Sequence, residues 1–419
     1  MSDLADPTNP GRSSPTDRVI TRDFVIVTLA GLFALIGFSS TLPLVPRYVE
    51  AELNGSKLEV GLAIGIFSIS AILARPLVGR LGDTRGRRFI IVAGTALTAV
   101  TVAGHALATS LPLLYAVRLA MGATQGAFFV GTATLVNDLA PPHRRGEATS
   151  YFSVAIYGGM AFGPLLGEVV QGAAGFGWAF AAGGASLVVA SALALLLPPH
   201  RPPAAPAGTP KGPLLHPAAI GPGLILMCGI VTFVAMNGFM PLYVKEFNLG
   251  AAGPVFVVYG LLVLVIRLAG SKLPDRWGTV RTTTLALSGQ VAGMLLIGAW
   301  NSRIGLYVGA AVLAVGGSFL YPALLTAAIT GVNARERARA TGTFSLAFEL
   351  SAGIGGPLLG LAASQGGNRA AFLAAGAAAA LGLPLLFGWA RHYPNQVVRP
   401  PLRSEIGRAS CRERVCYAV

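Results

Sequence analysis

The chain has 419 residues, 53% of them hydrophobic and 11% charged, with a formal net charge of +14. An ordinary soluble domain is roughly 25% charged, so this composition excludes a water-soluble globule. The basic surplus is no polyanion-binding surface either, because it falls almost wholly in alternate loops between apolar runs, and nucleic acid is excluded as a partner.

Residues 1–22 carry Asp, Arg, Pro, Ser and Thr without a short apolar core and small-residue cleavage site, so they read as a cytoplasmic tail and not as a signal peptide. An apolar layer about 30 Å thick takes about 20 helical residues to cross. Twelve runs of that kind follow, at 23–45, 58–78, 89–108, 112–136, 149–171, 178–197, 220–243, 253–273, 282–300, 304–329, 340–364 and 370–390. Arg12, Arg18 and Arg22 precede the first span; Arg80, Arg85, Arg87 and Arg88 follow the second; Arg144 and Arg145 follow the fourth. Lys272, Arg276 and Arg281 follow the eighth, and Arg335, Arg337 and Arg339 the tenth, whereas the opposite loops hold Arg47, Lys57, Lys245, Arg303 and Arg369. This positive-inside pattern puts both termini in the cytoplasm and the chain, multi-pass, in the cytoplasmic membrane.

Between the sixth and seventh spans, residues 198–217 contain eight prolines in twenty positions, a composition that favours extended, solvated backbone. It separates an N-terminal bundle, 23–197, from a C-terminal bundle, 220–390, across a linker at 198–219. The bundles are internally similar. Arg75, Leu81, Asp83 and Gly86 recur 192 residues on as Arg267, Leu273, Asp275 and Gly278, and GPLLG at 163–167 recurs at 356–360. Pro46, Tyr48 and Val49 correspond to Pro241, Tyr243 and Val244. The expected fold is therefore all-α: twelve transmembrane helices in two pseudo-symmetric six-helix bundles. A cytoplasmic tail occupies 391–405. Residues 406–419, IGRASCRERVCYAV, look like translated sequencing adapter.

Four places could carry chemistry. In GRLGDTRGRR, 79–88, the glycines permit a tight turn, and Asp83 can meet a neighbouring helix N-terminus or an arginine. Arg118 sits inside the fourth span, where a charge at mid-bilayer costs at least about 2.5–3.5 kcal/mol and must be put to use. In the fifth span, GMAFGPLLGE places Gly159, Gly163 and Gly167 four apart with Pro164 among them, a pattern that lets helices approach closely and bend. Glu168 ends that run. Glu349, deep in the eleventh span, is the candidate proton carrier, since a buried carboxylate can exchange a proton near neutral pH where its surroundings alternate between wet and dry. Ser39, Ser40, Gln125, Tyr157, Asn237, Tyr259, Gln290 and Tyr321 are mid-span candidates for a modestly polar cavity, each equally able to serve as an interhelical hydrogen bond.

No GxxxxGK[ST], GxSxG or HExxH is present, the five histidines are scattered, and no paired cysteine motif appears. ATP use, enzymatic activity, a metal and a cofactor are therefore not expected, and a gradient would have to drive any uphill movement.

These motifs resemble those of the major facilitator superfamily. Gly79, Leu81, Asp83, Gly86, Arg87 and Arg88 occupy the positions of its loop between the second and third helices, with Thr84 where a basic residue is usual. The resemblance implies that Asp83 pairs with Arg87 and with the start of the eleventh helix, that Asp138 completes a cytoplasmic gate, and that Asp275 and Gly278 repeat part of it. RLAMGATQG at 118–126 is similar to the helix whose arginine is linked to proton transfer, with Met121 where glutamine is usual. The fifth span resembles the antiporter signature, with Glu168 where glycine is usual. Implied are two parallel six-helix halves that hold a substrate near the midplane. The reading is a proton antiporter that exports a drug-like molecule or metabolite as a monomer, with Glu349, Arg118 and Glu168 in proton coupling. A proton-linked importer or facilitator of a sugar, organic acid or peptide is an alternative, and a ligand-binding membrane sensor on the same fold is another.

Overall fold

The computed structural model describes residues 19–141, 144–199, 215–270, 273–333 and 336–397. The tail at 398–419 lies outside these residues, as do 200–214 of the linker, and at Gly79, Asp83 and Asp275 the backbone alone is described. The described residues are helical almost throughout. Unit 1 comprises the described residues of 1–48, 69–209 and 252–257, and unit 2 those of 49–68, 210–251 and 258–419. The chain thus passes from one unit to the other within three of its helices.

The helices are α1 (Arg22–Ala51), α2 (Lys57–Arg85), α3 (Arg87–Gly104), α4 (Leu111–Leu139), α5 (Arg145–Ala174) and α6 (Phe176–Leu195). After the linker come α7 (Pro217–Glu246), α8 (Gly253–Ala269), the short α9 (Leu273–Trp277), α10 (Thr279–Ala299), α11 (Arg303–Ile329) and α12 (Arg337–His392). α12 carries two spans, because Gly366 and Gly367 leave helical geometry in its middle. With α9 too short to cross, the twelve expected spans are all present. Ten helices among the described residues are long and apolar enough to cross a membrane, and α8 is a shorter apolar one.

The expected loop at 79–88 is almost entirely helix. α2 runs on to Arg85, and only Gly86 (φ 94°, ψ 162°) turns the chain into α3. Glycine inside a helix costs only about 1 kcal/mol, so Gly79 and Gly82 do not end α2. Gly86 does, because its backbone lies in a region closed to residues with a Cβ. Its repeat partner Gly278 (φ 74°, ψ 169°) starts α10 in the same way. A second pair, also 192 residues apart, behaves alike: Gly175 (φ 86°, ψ 177°) starts α6 and Gly367 (φ 73°, ψ 177°) starts the second span of α12.

The repeat extends to side chains. In unit 1, the Tyr48 hydroxyl donates to the Ala108 carbonyl (3.2 Å) and its ring meets Phe180 edge-on at 5.4 Å. In unit 2, Tyr243 donates to the Ile297 carbonyl (2.6 Å) and meets Phe372 edge-on at 5.0 Å. Each tyrosine fastens the end of a unit's first span to the far end of its third, burying a ring and satisfying its hydroxyl together. Around these anchors, α3 packs on α4 and α6, while α10 packs on α11 and α12.

Gly175 and Gly172 separate conformation from crowding, since neither has an atom within 4 Å of a built Cβ. Gly175→Ala should cost about 1–3 kcal/mol through backbone strain alone. Gly172→Ala, in the helix three residues earlier, should be neutral or stabilising by up to about 1 kcal/mol. Thermal unfolding of the two variants in detergent, compared with the parent, measures the difference.

Candidate functional site

The fifth-span motif is a packing seam. Pro164 lies inside α5, and the three glycines face α1 within unit 1. A Cβ on Gly159 would run into Leu35, one on Gly163 into Ser39 and, at 2.5 Å, the Ile36 carbonyl, and one on Gly167 into the Ser40 carbonyl at 2.5 Å. Ser39 closes the seam, with its hydroxyl within reach of the Gly159 carbonyl (2.7 Å) and of its own helix at Leu35 (2.6 Å). Ser40 is likewise fully buried, donates to the Gly37 carbonyl and abuts Gly183 of α6. Both proposed cavity serines thus sit between helices.

The repeated glycines build a second seam within unit 2. Gly356 and Gly360 of α12 meet Gly61 and Gly65 of α2. A Cβ on Gly356 would lie 2.7 Å from the Gly61 carbonyl and 3.0 Å from the Gly65 amide, and one on Gly360 would lie 2.7 Å from the Lys57 carbonyl. Gly61 recurs in the chain as Gly253, which starts α8 and packs on Leu165 and Glu168 within unit 1.

Glu168 has a defined partner set. One carboxylate oxygen accepts from the Ala252 amide (2.9 Å), the other accepts from the Gly253 amide, and Arg47 lies 3.6 Å away. The first amides of any helix lack intrahelical acceptors, and a carboxylate there also meets the positive end of the helix dipole. α2 solves the same problem within its own sequence: Ser56 and Glu59 form a reciprocal capping box, with the Ser56 amide donating to Glu59 at 2.6 Å. At the start of α8 the corresponding residues are Asn248 and Ala251, and the cap is supplied by Glu168 from α5.

At the other end of unit 1, Arg87 Nε lies 3.3 Å from Asp138 Oδ2, bringing two of the expected gate residues together. Arg88 donates to the Leu195 carbonyl at the end of α6 (2.7 Å), satisfying a terminal carbonyl that its helix leaves free. Leu81 is half-buried beside this corner. Partners of the Asp83 and Asp275 side chains lie outside the description. In unit 2, Arg267 donates to the Ser318 carbonyl of α11 at 3.0 Å.

Arg118 is 4% exposed on α4, with Met121 Sδ 3.9 Å from its guanidinium. Near it in unit 1 is a residue that sequence reading passed over. His105, fully buried at the end of α3, stacks on Phe180 at 5.2 Å and lies 2.8 Å from the Thr101 carbonyl through Nδ1. Its signal was available as a histidine at the end of an apolar run, but a lone histidine carries no periodicity. Arg47 was passed over as well, since only folding brings it to Glu168. Glu349 is half-buried on α12, in unit 2.

Of the remaining cavity candidates, Asn237 donates to the Phe233 carbonyl of its own helix (2.8 Å). Gln290 is 4% exposed with its Oε1 close to Gly229, and the Tyr259 hydroxyl lies 3.1 Å from where a Cβ on Gly317 would stand. Tyr321 meets Phe344 edge-on at 5.2 Å, and Gln125 and Tyr157 are half-buried. Among the described residues, no three His, Cys, Asp or Glu side chains gather as a metal site.

Duplicated six-span units with a buried arginine and glycine seams define a multi-pass membrane transporter. The profile of the Major Facilitator Superfamily matches residues 27–303 and 275–414. An uncharacterized MFS-type transporter of Pseudomonas aeruginosa is 30% identical over 394 residues, covering 90% of this chain and 96% of the relative. One of Salmonella typhimurium is 28% identical over 353 residues, covering 81% and 89%. The crystal structure of a bacterial homologue of the human lysosomal transporter Spinster, inward-facing and unoccupied, has the same fold (TM-score 0.72, 16% identity, 93% of this chain and 100% of that one). The chain belongs to the Major Facilitator Superfamily.

Glu168→Ala removes a cap worth about 1 kcal/mol, so amide exchange at Val255 and Phe256 should accelerate about fivefold. The first turn of α2, capped by its own Ser56 and Glu59, should exchange as in the parent. Hydrogen exchange read by mass spectrometry on the detergent-solubilised protein compares both helices in one experiment.

Proposed function

We propose that this transporter exports a small molecule, drug-like or metabolic, across the cytoplasmic membrane in exchange for protons, by alternating access with both termini in the cytoplasm. The observation that carries the reading is the fifth-span seam, with Gly159, Gly163 and Gly167 seated on α1 in the same unit that buries Arg118. A glycine seam limits leakage beside a reorienting site because two backbones in contact leave no room for water. Glu349 is the proposed proton carrier, and Arg118 is the fixed charge whose counter-ion changes as the proton moves.

Two features support alternating access. α2 begins in unit 2 and ends in unit 1, and α8 begins in unit 1 and ends in unit 2. Any relative movement of the units therefore bends these helices or loads the contacts that hold their first turns. Those contacts are the Gly61/Gly65–Gly356/Gly360 seam and the Glu168 cap, and small residues and a single carboxylate are contacts that can be released. The cluster of Arg87 and Asp138, with Asp83, is the proposed cytoplasmic gate. Gln290, Tyr259, Tyr321, Gln125, Tyr157 and Asn237 remain the proposed lining of the substrate path.

The test is reconstitution of the full chain in liposomes with an internal pH dye. Gradients of lipophilic cations, neutral drugs, sugars and organic acids are imposed in turn. One compound should drive protons opposite to its own movement, and Glu349→Gln should abolish that signal while leaving expression and thermal stability unchanged. Arg118→Lys keeps the charge but loses the planar fork, and should slow coupled flux without converting it to uncoupled flux. Substrate movement with no proton signal would instead favour the facilitator reading, and coupled flux that survives in Glu349→Gln would remove Glu349 from the mechanism.

A further inference from the structure

The turns at Gly86 and Gly278 share a feature that the transport mechanism does not use. In unit 1, the Arg85 guanidinium lies over the Phe89 ring, 5.1 Å from its centre. In unit 2, Arg281 lies over the Trp277 ring at 5.9 Å. The repeat offset of 192 carries position 85 to 277 and position 89 to 281. The two units thus keep the same cation–aromatic pair across the same glycine turn with its members exchanged. What persists in the repeat is the pairing, independent of which helix supplies the charge.

Both pairs lie just past the end of an apolar span or just inside the start of one. The apolar span of α2 ends at Gly82, three residues before Arg85, and α10 begins at Thr279, two residues before Arg281. On the approach to each turn, large apolar side chains face outward: Leu73 (73% exposed) and Leu77 (60%) on α2, Val265 (59%) and Leu268 (54%) on α8. Arg85 and Arg281 are themselves exposed. A guanidinium stacked on a ring is held by one face, and its N–H edge remains directed for bidentate contact with phosphate oxygens. Aromatic rings favour the interface, and cations beside an apolar span attract anionic lipid.

We propose that Arg85 with Phe89 and Arg281 with Trp277 form two equivalent binding sites, one per unit, for the phosphate of an anionic phospholipid whose acyl chains lie along Leu73 and Leu77 or along Val265 and Leu268. The sites anchor each unit at its turn, so that movement of either unit carries its lipid.

The experiment uses the full chain in neutral detergent, titrated with dioleoyl phosphatidylglycerol or dioleoyl phosphatidylcholine, with retained lipids counted by native mass spectrometry. The parent should retain two phosphatidylglycerol molecules in preference to phosphatidylcholine. Arg85→Gln and Arg281→Gln should each remove one, and the double variant both. Phe89→Leu and Trp277→Leu keep the charge but lose the stack, and should weaken retention about fivefold. Arg85→Lys and Arg281→Lys provide variants of unchanged charge should the glutamine variants unfold, and should weaken retention to a similar degree. Three outcomes overturn the proposal: equal retention of the two lipids, equal loss in an Arg22→Gln, Arg80→Gln double variant of the same charge change, or displacement by inorganic phosphate. The first two mean that the turns select no headgroup, and the third that the sites take free anions.

Discussion

The constraint on which this structure depends is that a bilayer offers no water to a peptide group. Every backbone amide and carbonyl at membrane depth must be satisfied within the protein, so the chain crosses as helices. Lipid also gives helices no hydrophobic reason to associate, and they associate by close contact and by directed hydrogen bonds. The two glycine seams are one answer, with carbonyls of α1 and α2 where a Cβ would otherwise stand. The two tyrosines that tie first spans to third spans are another.

Helix ends pose the same problem in sharper form, because four amides or carbonyls per end go without intrahelical partners. The chain meets it in three ways. α2 supplies its own capping box, α8 takes a carboxylate from α5, and α6 gives its last carbonyl to Arg88. The borrowed solutions are the mechanically important ones, since they join elements that are distant in sequence. Glu168 illustrates the distinction. It stands where the resembling signature has glycine, and its carboxylate fills a need that the neighbouring α8 cannot meet alone.

Duplication explains much of the rest. Gly86 and Gly278, Gly175 and Gly367, Tyr48 and Tyr243, Phe180 and Phe372 each do one job twice. Where the copies differ, the difference has chemical content. Arg118 has Ala310 at the corresponding position of the second half, so the buried charge is a property of one unit. The Arg–aromatic pairs at the turns differ in the opposite sense, keeping the interaction while exchanging the residues that make it.

The sequence by itself determined the spans, the duplication and the family, because a run of about 20 apolar residues has one stable conformation in a bilayer and the repeat offset is arithmetic. It also marked Arg118, Glu168 and the glycine stripe as exceptional, since a charge or a missing side chain stands out against an apolar background. What it left open were matters of facing and distance. It read residues 79–88 as a loop, where helix continues to Arg85 and one glycine makes the turn. It left Ser39 and Ser40 open between cavity lining and interhelical bonding, where the Ser39 hydroxyl reaches the Gly159 carbonyl of α5 and Ser40 donates within α1 to Gly37. Only the tertiary structure decided that Arg47 and the α8 amides meet Glu168, or that His105 is buried against Phe180. Rotation about a helix axis is set by its neighbours, and an apolar span with a weak polar face carries little record of which side they will occupy.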